Sequence, residues 1–237
     1  MWDVLPWVPR GYAIPDDEVH VWLTRVGWSS RHIGALADVL SLDERQKAER
    51  FRFQVDRERH VIGRGFLRFV LGRILDTRPD GLCFHYNDFR KPRLPDAQNE
   101  LRLQFNVSHS GDLILIGLAA NRQIGVDVER VRDGLEPEAI AGRFFSSGEQ
   151  ADLATLPPDQ RRNAFFCCWC RKEAFIKARG EGLSLPLNRF DVSLKPGEPA
   201  MLLATRPDAV EASRWVIPGP RCRPWSQGGS RCGRLGV

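Results

Sequence analysis

The stretch Phe105–Glu129, FNVSHSGDLILIGLAANRQIGVDVE, gathers two sets of residues that can do chemistry. It opens on Asn106, Ser108, His109 and Ser110 and closes on Asp127 and Glu129, inside the alternating run Ile124-Gly125-Val126-Asp127-Val128-Glu129. A period of two puts both carboxylates on one face of a strand. Two acids that close repel each other unless a cation lies between them. Hard oxygen donors suit Mg²⁺, which takes one or two protein carboxylates together with substrate phosphates. The same pattern would also serve a solvated edge strand.

Hydroxyls and an imidazole at a strand end suit phosphate contacts. A serine hydrolase is disfavoured, because no G-x-S-x-G elbow surrounds Ser108 and neighbours on a strand, such as Ser108 and His109, point to opposite faces. A further charged group is Lys172-Glu173 with Lys177. Glu173 and Lys177 are four apart and share a helix face. An ordinary surface ion pair explains that spacing too. However, the helix is rich in aromatics (Phe165, Phe166, Trp169, Phe175), and charges kept within a buried helix are paired or bind something. Lys91 precedes the first strand of the stretch, and Lys47, Arg50 and Arg59 lie on earlier helices; singly, each reads as a solvated charge.

The elements that must position these groups are legible in outline. Val19–Val26 reads as a strand, and Leu42–Phe53 and Arg57–Leu75 read as helices. Ser41 with Glu44 fits a capping box, and Val61, Gly65, Leu67, Val70, Leu71 and Ile74 form an apolar stripe. Asp88–Pro95 is polar and broken by proline, hence a loop. The order then recurs: Ser146 with Glu149 is a second capping box, a long helix spans Asp159–Arg179, and Arg189-Phe190-Asp191-Val192-Ser193 echoes Gln104-Phe105-Asn106-Val107-Ser108. A glycine and an apolar run follow each echo. This predicts two similar α+β halves with a cleft between them, a common place for a ligand. The expected division is 1–121, 122–217 and an irregular basic tail, 218–237, rich in Pro, Gly, Ser and Arg and read as disordered.

Composition narrows the function classes. A chain of 237 residues with 42% hydrophobic and 27% charged residues can bury a core. No apolar run approaches the roughly 20 residues of a membrane span. The N-terminus does not resemble a signal peptide, so a cytoplasmic location is expected. The net charge of +5 is carried by Arg214, Arg221, Arg223, Arg231 and Arg234, which leaves zero before residue 214. A basic stripe on a folded face marks nucleic-acid binding, and a basic tail does not. The six cysteines are expected to be free thiols, and Cys167-Cys168-Trp169-Cys170 to serve packing.

One ordered set of motifs remains. It comprises K-A-E-R-F (47–51), K-P (91–92), F-N-V-S-H-S (105–110), G-V-D-V-E (125–129), F-F-S-x-x-E (144–149), W-x-x-K-E-A-F-I-K-A (169–178) and G-x-G-L-S-L-P-L (180–187). Over roughly residues 15 to 217 it resembles the 4′-phosphopantetheinyl transferases, and among them the long, pseudo-dimeric surfactin-synthetase-activating type. The resemblance implies an α+β fold of two pseudo-twofold halves with the site in their cleft. It implies transfer of the 4′-phosphopantetheine arm of coenzyme A to a serine of an apo acyl or peptidyl carrier protein, releasing adenosine 3′,5′-bisphosphate. By the same resemblance Asp127, Glu129 and Glu173 hold Mg²⁺ (or Mn²⁺), Glu173 is the general base, and Lys177 pairs with phosphates. Lys47, Arg59, Lys91, Ser108 and His109 match nucleotide-phosphate contacts, and Glu149 an acidic position near the site. Residues 130–145 match the carrier-docking side, with Ile140, Phe144 and Phe145 as apolar contacts.

The sequence departs from the family twice. Arg90 stands where a glycine usually precedes the Lys-Pro loop, and no strand is recognisable after Trp215. Because both halves of the site lie on one chain, a monomer is expected. The alternative is a binding protein of the same fold that holds coenzyme A or a carrier without transfer.

Overall fold

The computed structural model describes residues 11–131, 134 and 136–218, and the strand 230–236; for 28–30, 183 and 230–236 only the backbone is described. β1 (Glu18–Arg25) leads through α1 (Val26–Ser29) and α2 (Ile33–Asp38) to α3 (Leu42–Glu49) and the long α4 (Gln54–Ile74). The short pair β2 (His85–Tyr86) and β3 (Pro92–Arg93) precedes the hairpin β4 (Leu103–Ser110) and β5 (Leu113–Ala120). The second half contains α5 (Pro137–Phe144), α6 (Ser147–Thr155), α7 (Pro158–Arg179), β6 (Phe190–Val192) and β7 (Leu202–Thr205), and β8 (Ser230–Gly236) ends the described chain.

β4, β5, β1 and β8 form one antiparallel sheet in that order, while β6 and β7 pair separately. α4 covers the sheet. Its predicted stripe is buried, with Leu67, Val70, Leu71 and Ile74 at 0% exposure against Trp22, Phe105, Ile114 and Ile116. A second core gathers Phe165, Phe166, Phe175 and Ile176 of α7 with Phe145, Leu153, Phe190 and Leu202. The chain is thus α+β; among the described residues it has one large core per half and a small third cluster, Ala119, Ile124 and Val126, between them.

The halves repeat one buried device. In the first, Ser41 N–H donates to Glu44 at 3.1 Å, and Glu44 pairs with buried Arg68 at 2.6 Å. Arg68 donates to the carbonyls of Pro79 and Leu82 and lies over the Phe84 ring. In the second, Ser146 and Glu149 cap each other, and Glu149 pairs with Lys172 at 2.7 Å. Lys172 donates to the carbonyls of Leu187 and Phe190 and lies 4.3 Å from the Phe190 ring centroid. Each pair is desolvated, so each partner needs the other, and the carbonyls satisfy the remaining donors.

Four expectations are corrected. The helix expected to reach Phe53 stops at Glu49, and Phe53 is exposed before α4 begins. Residues 124–129 are not a strand: they run extended beside β4, whose side chains replace the backbone ladder. Phe145 cannot meet a partner, since it is 2% exposed and stacks on Phe165 at 5.3 Å. The tail is not irregular throughout: Ser230–Gly236 pairs antiparallel with β1, whose open edge otherwise leaves backbone groups unpaired. The rest of the expected tail, 219–229 and 237, lies outside the described residues.

Candidate active site

The site is built on the seam between the halves. Asn106, Ser108 and Ser110 alternate along β4 and accept the backbone N–H groups of Val126, Val128 and Arg130 at 2.9, 3.3 and 3.0 Å. Two of them also hold the carboxylates. Ser108 Oγ donates to Asp127 Oδ1 at 2.9 Å, and Ser110 Oγ donates to Glu129 Oε2 at 2.8 Å. Asp127 and Glu129 therefore face β4 together, the period-two prediction met without a strand.

The extended segment is pressed against α7. A Cβ on Gly125 would fall 2.0 Å from Ala174 O and 2.3 Å from Ala178 N, so only glycine permits this approach. The approach delivers Asp127 to Lys177, whose Nζ lies 2.5 Å from Asp127 Oδ1 and 3.1 Å from Ser108 Oγ. Glu173, one helical turn before Lys177, is half-buried and makes no hydrogen bond or ion pair among the described residues. Burial raises its pKa, Lys177 opposes this, and Asp127 and Glu129 raise it further. A carboxyl group of raised pKa beside two other acids has the character of a general base.

The donor set suits a hard divalent cation. The Asp127 side chain is only 4% exposed, and among the described residues its Oδ2 is buried without a hydrogen-bond partner, with the Cys170 thiol as the other polar group beside the carboxylate. An orphaned carboxylate oxygen is costly unless a cation completes it. Among the described residues no three His, Cys, Asp or Glu side chains are already drawn together tightly enough to hold a metal.

Basic groups adjoin this cluster. Arg59 Nε donates to Gly111 O at 3.1 Å and pairs with Asp56 at 2.7 Å, which places it at the β4–β5 turn. Burial first, then the charges of Arg59 and Lys177, lower the pKa of His109. Lys47 is exposed on the last turn of α3, and its charge is felt by His60 on α4. Lys91 is turned elsewhere: its Nζ donates to Ala178 O at 2.8 Å and Ile124 O at 3.1 Å, and burial lowers its pKa to about 8. Arg90 adopts φ +63°, the left-handed backbone that favours glycine.

Glu149 is fully engaged in its capping box, in Lys172 and in the N–H of Val192, well inside the second core. Among the described residues Cys83, Cys167, Cys168 and Cys170 are free thiols, as expected. Sequence reasoning missed Asn106 and Ser110 as anchors of the carboxylate segment. Their alternation with Ser108 on β4 was the available signal.

The fold and the seam define a class: a two-half α+β protein in which carboxylates and basic groups meet beside one long helix. A family model described as the 4′-phosphopantetheinyl transferase superfamily matches residues 123–221, and one described as 4′-phosphopantetheinyl transferase, N-terminal, matches 28–123. The chain is 39% identical over 198 residues to the 4′-phosphopantetheinyl transferase HetI of a Nostoc species, covering 83% of each. It is 37% identical over 156 residues to a 4′-phosphopantetheinyl transferase of Bacillus subtilis, covering 66% of this chain and 67% of that one. To the Bacillus subtilis (strain 168) enzyme Sfp it is 35% identical over 156 residues, covering 65% and 66%. The chain belongs to the 4′-phosphopantetheinyl transferases. It transfers phosphopantetheine from coenzyme A, its co-substrate, to a carrier protein; the non-catalytic alternative is not favoured. Among the described residues no helix is long and apolar enough to cross a membrane.

Proposed function

We propose that Asp127, Glu129 and Glu173 hold a divalent cation, Mg²⁺ or Mn²⁺, against the pyrophosphate of coenzyme A. The unpartnered Oδ2 of Asp127 carries this reading. When bound, such an ion neutralises the pyrophosphate and stabilises charge at the attacked phosphorus and the leaving oxygen. Glu173, whose side chain has no internal hydrogen-bond partner among the described residues, takes the proton of the carrier serine as the serine oxygen bonds to phosphorus. The phosphorus–oxygen bond to adenosine 3′,5′-bisphosphate breaks in the same exchange, so one proton and one nucleotide leave for each arm transferred. Lys177, already at Asp127 and Ser108, lies within reach of phosphate oxygens as a compact point charge.

His109 and Arg59 supply nucleotide-phosphate contacts at the β4 end, Ser108 adds one from the Asp127 side of the strand, and Lys47 stands further out on α3. The carrier docks beside residues 130–145, where Val131 is exposed and Phe144 and Ile140 are half-buried. One chain carries both halves of the site, which supports a working monomer, and the free thiols support a cytoplasmic setting.

The test is intact-mass spectrometry of an apo acyl or peptidyl carrier protein incubated with this chain, coenzyme A and Mg²⁺. A gain of about 340 Da, abolished by EDTA, is the expected result for a metal-neutralised pyrophosphate. Undiminished transfer after exhaustive chelation would remove the metal from the reading.

A further inference from the structure

The loop Asn87–Lys91 belongs to the first half, yet two of its side chains end on the second. Asn87 Nδ2 donates to Gly180 O at 2.9 Å, and Lys91 Nζ donates to Ala178 O at 2.8 Å and Ile124 O at 3.1 Å. Three separate pieces of chain meet at one ammonium group: the loop, the segment bearing Asp127, and the C-terminal end of α7. The two acceptors flank the site. Ile124 precedes Asp127 by three residues, and Ala178 follows Lys177 directly.

Several features show that this junction is built. Asn87 Oδ1 accepts the N–H groups of Phe89 and Lys91 at 3.1 and 2.8 Å, which fixes the loop's shape. Gly180 caps α7 at φ +72°, and a Cβ there would fall 3.2 Å from both Asn87 Nδ2 and Lys91 Cδ. Carbonyls at the end of a helix carry negative partial charge, so a cation is favoured there.

We propose that Lys91 is a positioning residue for the transfer reaction: with Asn87 it clamps the segment Ile124–Glu129 onto the end of α7 and thereby fixes Asp127 opposite Glu173 and Lys177. This rests on the reading of those carboxylates as metal and base groups. It differs from a phosphate contact, because two of the three ammonium hydrogens are given to backbone carbonyls. Gly125, which tolerates no Cβ against α7, is the second point of the same clamp.

Hydrogen-exchange mass spectrometry of the full chain, as wild type, Lys91→Met and Asn87→Ala, tests this directly. The amides of Val126, Val128 and Arg130, bonded to β4 side chains, should exchange about tenfold faster in both variants, with α4 unchanged. At saturating coenzyme A, kcat should fall by about tenfold while KM for coenzyme A stays within about threefold. Unchanged exchange in the segment overturns the proposal whatever the kinetics. So does faster exchange with kcat preserved, and a rise in KM alone would make Lys91 a phosphate ligand. If Lys91→Met does not fold, Asn87→Ala carries both readouts, since its contact with α7 is at the cap alone. Failure of the metal reading shows separately, as absence of Mn²⁺ binding to the wild type by paramagnetic resonance.

Discussion

Lys177 Nζ sits 2.5 Å from Asp127 Oδ1, and the same Asp127 carries a buried, unpartnered Oδ2. One carboxylate therefore has an internal cation on one oxygen, while its other oxygen has no hydrogen-bond donor among the described residues and the Cys170 thiol lies beside the group. The contact joins the segment that leaves β5 to the last turns of α7, and Ser108 of β4, bonded to both partners, brings the first half to the same point. It is the point at which the folding of two halves becomes the assembly of one site.

Replacing Lys177 by methionine leaves Asp127 buried without its cation. We expect a loss of about 2 kcal/mol, the cost of an unsatisfied buried charged group, softened because Lys177 is 28% exposed. A divalent ion binding only the folded state should restore stability, and more so in the variant, where no ammonium competes for the carboxylate. Urea unfolding with and without Mg²⁺ measures both. An equal Mg²⁺ effect in wild type and variant would contradict the proposed metal role of Asp127.

Arg90 holds φ +63° in the clamp loop, where its side chain gains nothing from the left-handed backbone. Arg90→Gly should stabilise the chain by about 1 kcal/mol, the strain relieved less the entropy that glycine adds to the unfolded chain. For a chain this size, that corresponds to roughly 2–4 °C in Tm. Calorimetry decides the matter, and a lower Tm would mean that Arg90 makes a contact outweighing its strain.

Glu149 lies near the family's catalytic sequence block yet belongs to the core. Glu149→Gln keeps its cap geometry but strands Lys172, which has no exposure at all. The expected loss is about 3 kcal/mol, with KM for coenzyme A unchanged in the folded fraction. Glu44→Gln should lose a similar amount in the first half, because the neutral amide no longer balances Arg68 and its NH2 opposes Arg64. A selective rise in KM for Glu149→Gln would return that residue to the site.

What could be read from the residue order was whatever is local. The stripe of α4, the aromatic face of α7 and both capping boxes depend on spacings of three and four, and the structure keeps them. The echo of Gln104–Ser108 in Arg189–Ser193, a matter of residue order, falls on β4 and β6. The segment 124–129 was misread as a strand because alternation reports which residues share a face, not which groups make the ladder. Asn106, Ser108 and Ser110 supply those bonds by side chain instead. Phe145, expected as an apolar docking contact, turns into the core, and Lys91, expected at a phosphate, donates to two carbonyls, since tertiary packing alone decides where a helix-end phenylalanine or a loop lysine points.

His109 gives the site a pH dependence whose sign can be stated. Burial, then Arg59 and Lys177, hold its pKa below the usual 6.5, so the ring is neutral at pH 7 in the free chain. A lowered folded pKa means that the folded state binds fewer protons than the unfolded one just below pH 6.5. This contribution to stability is full above that pH and is lost as the pH falls. A phosphate beside the ring favours the imidazolium instead. Binding of adenosine 3′,5′-bisphosphate should therefore take up a proton, and affinity should rise as pH drops from 8 to about 6. Calorimetric titration in buffers of different ionisation heat reads the uptake, and the Cε1 proton resonance of His109 reads the pKa with and without nucleotide. In His109→Gln the uptake should vanish while the fold is kept. Equal proton uptake in wild type and variant would place the nucleotide's phosphate away from His109 and leave Arg59 and Lys47 as its anchors.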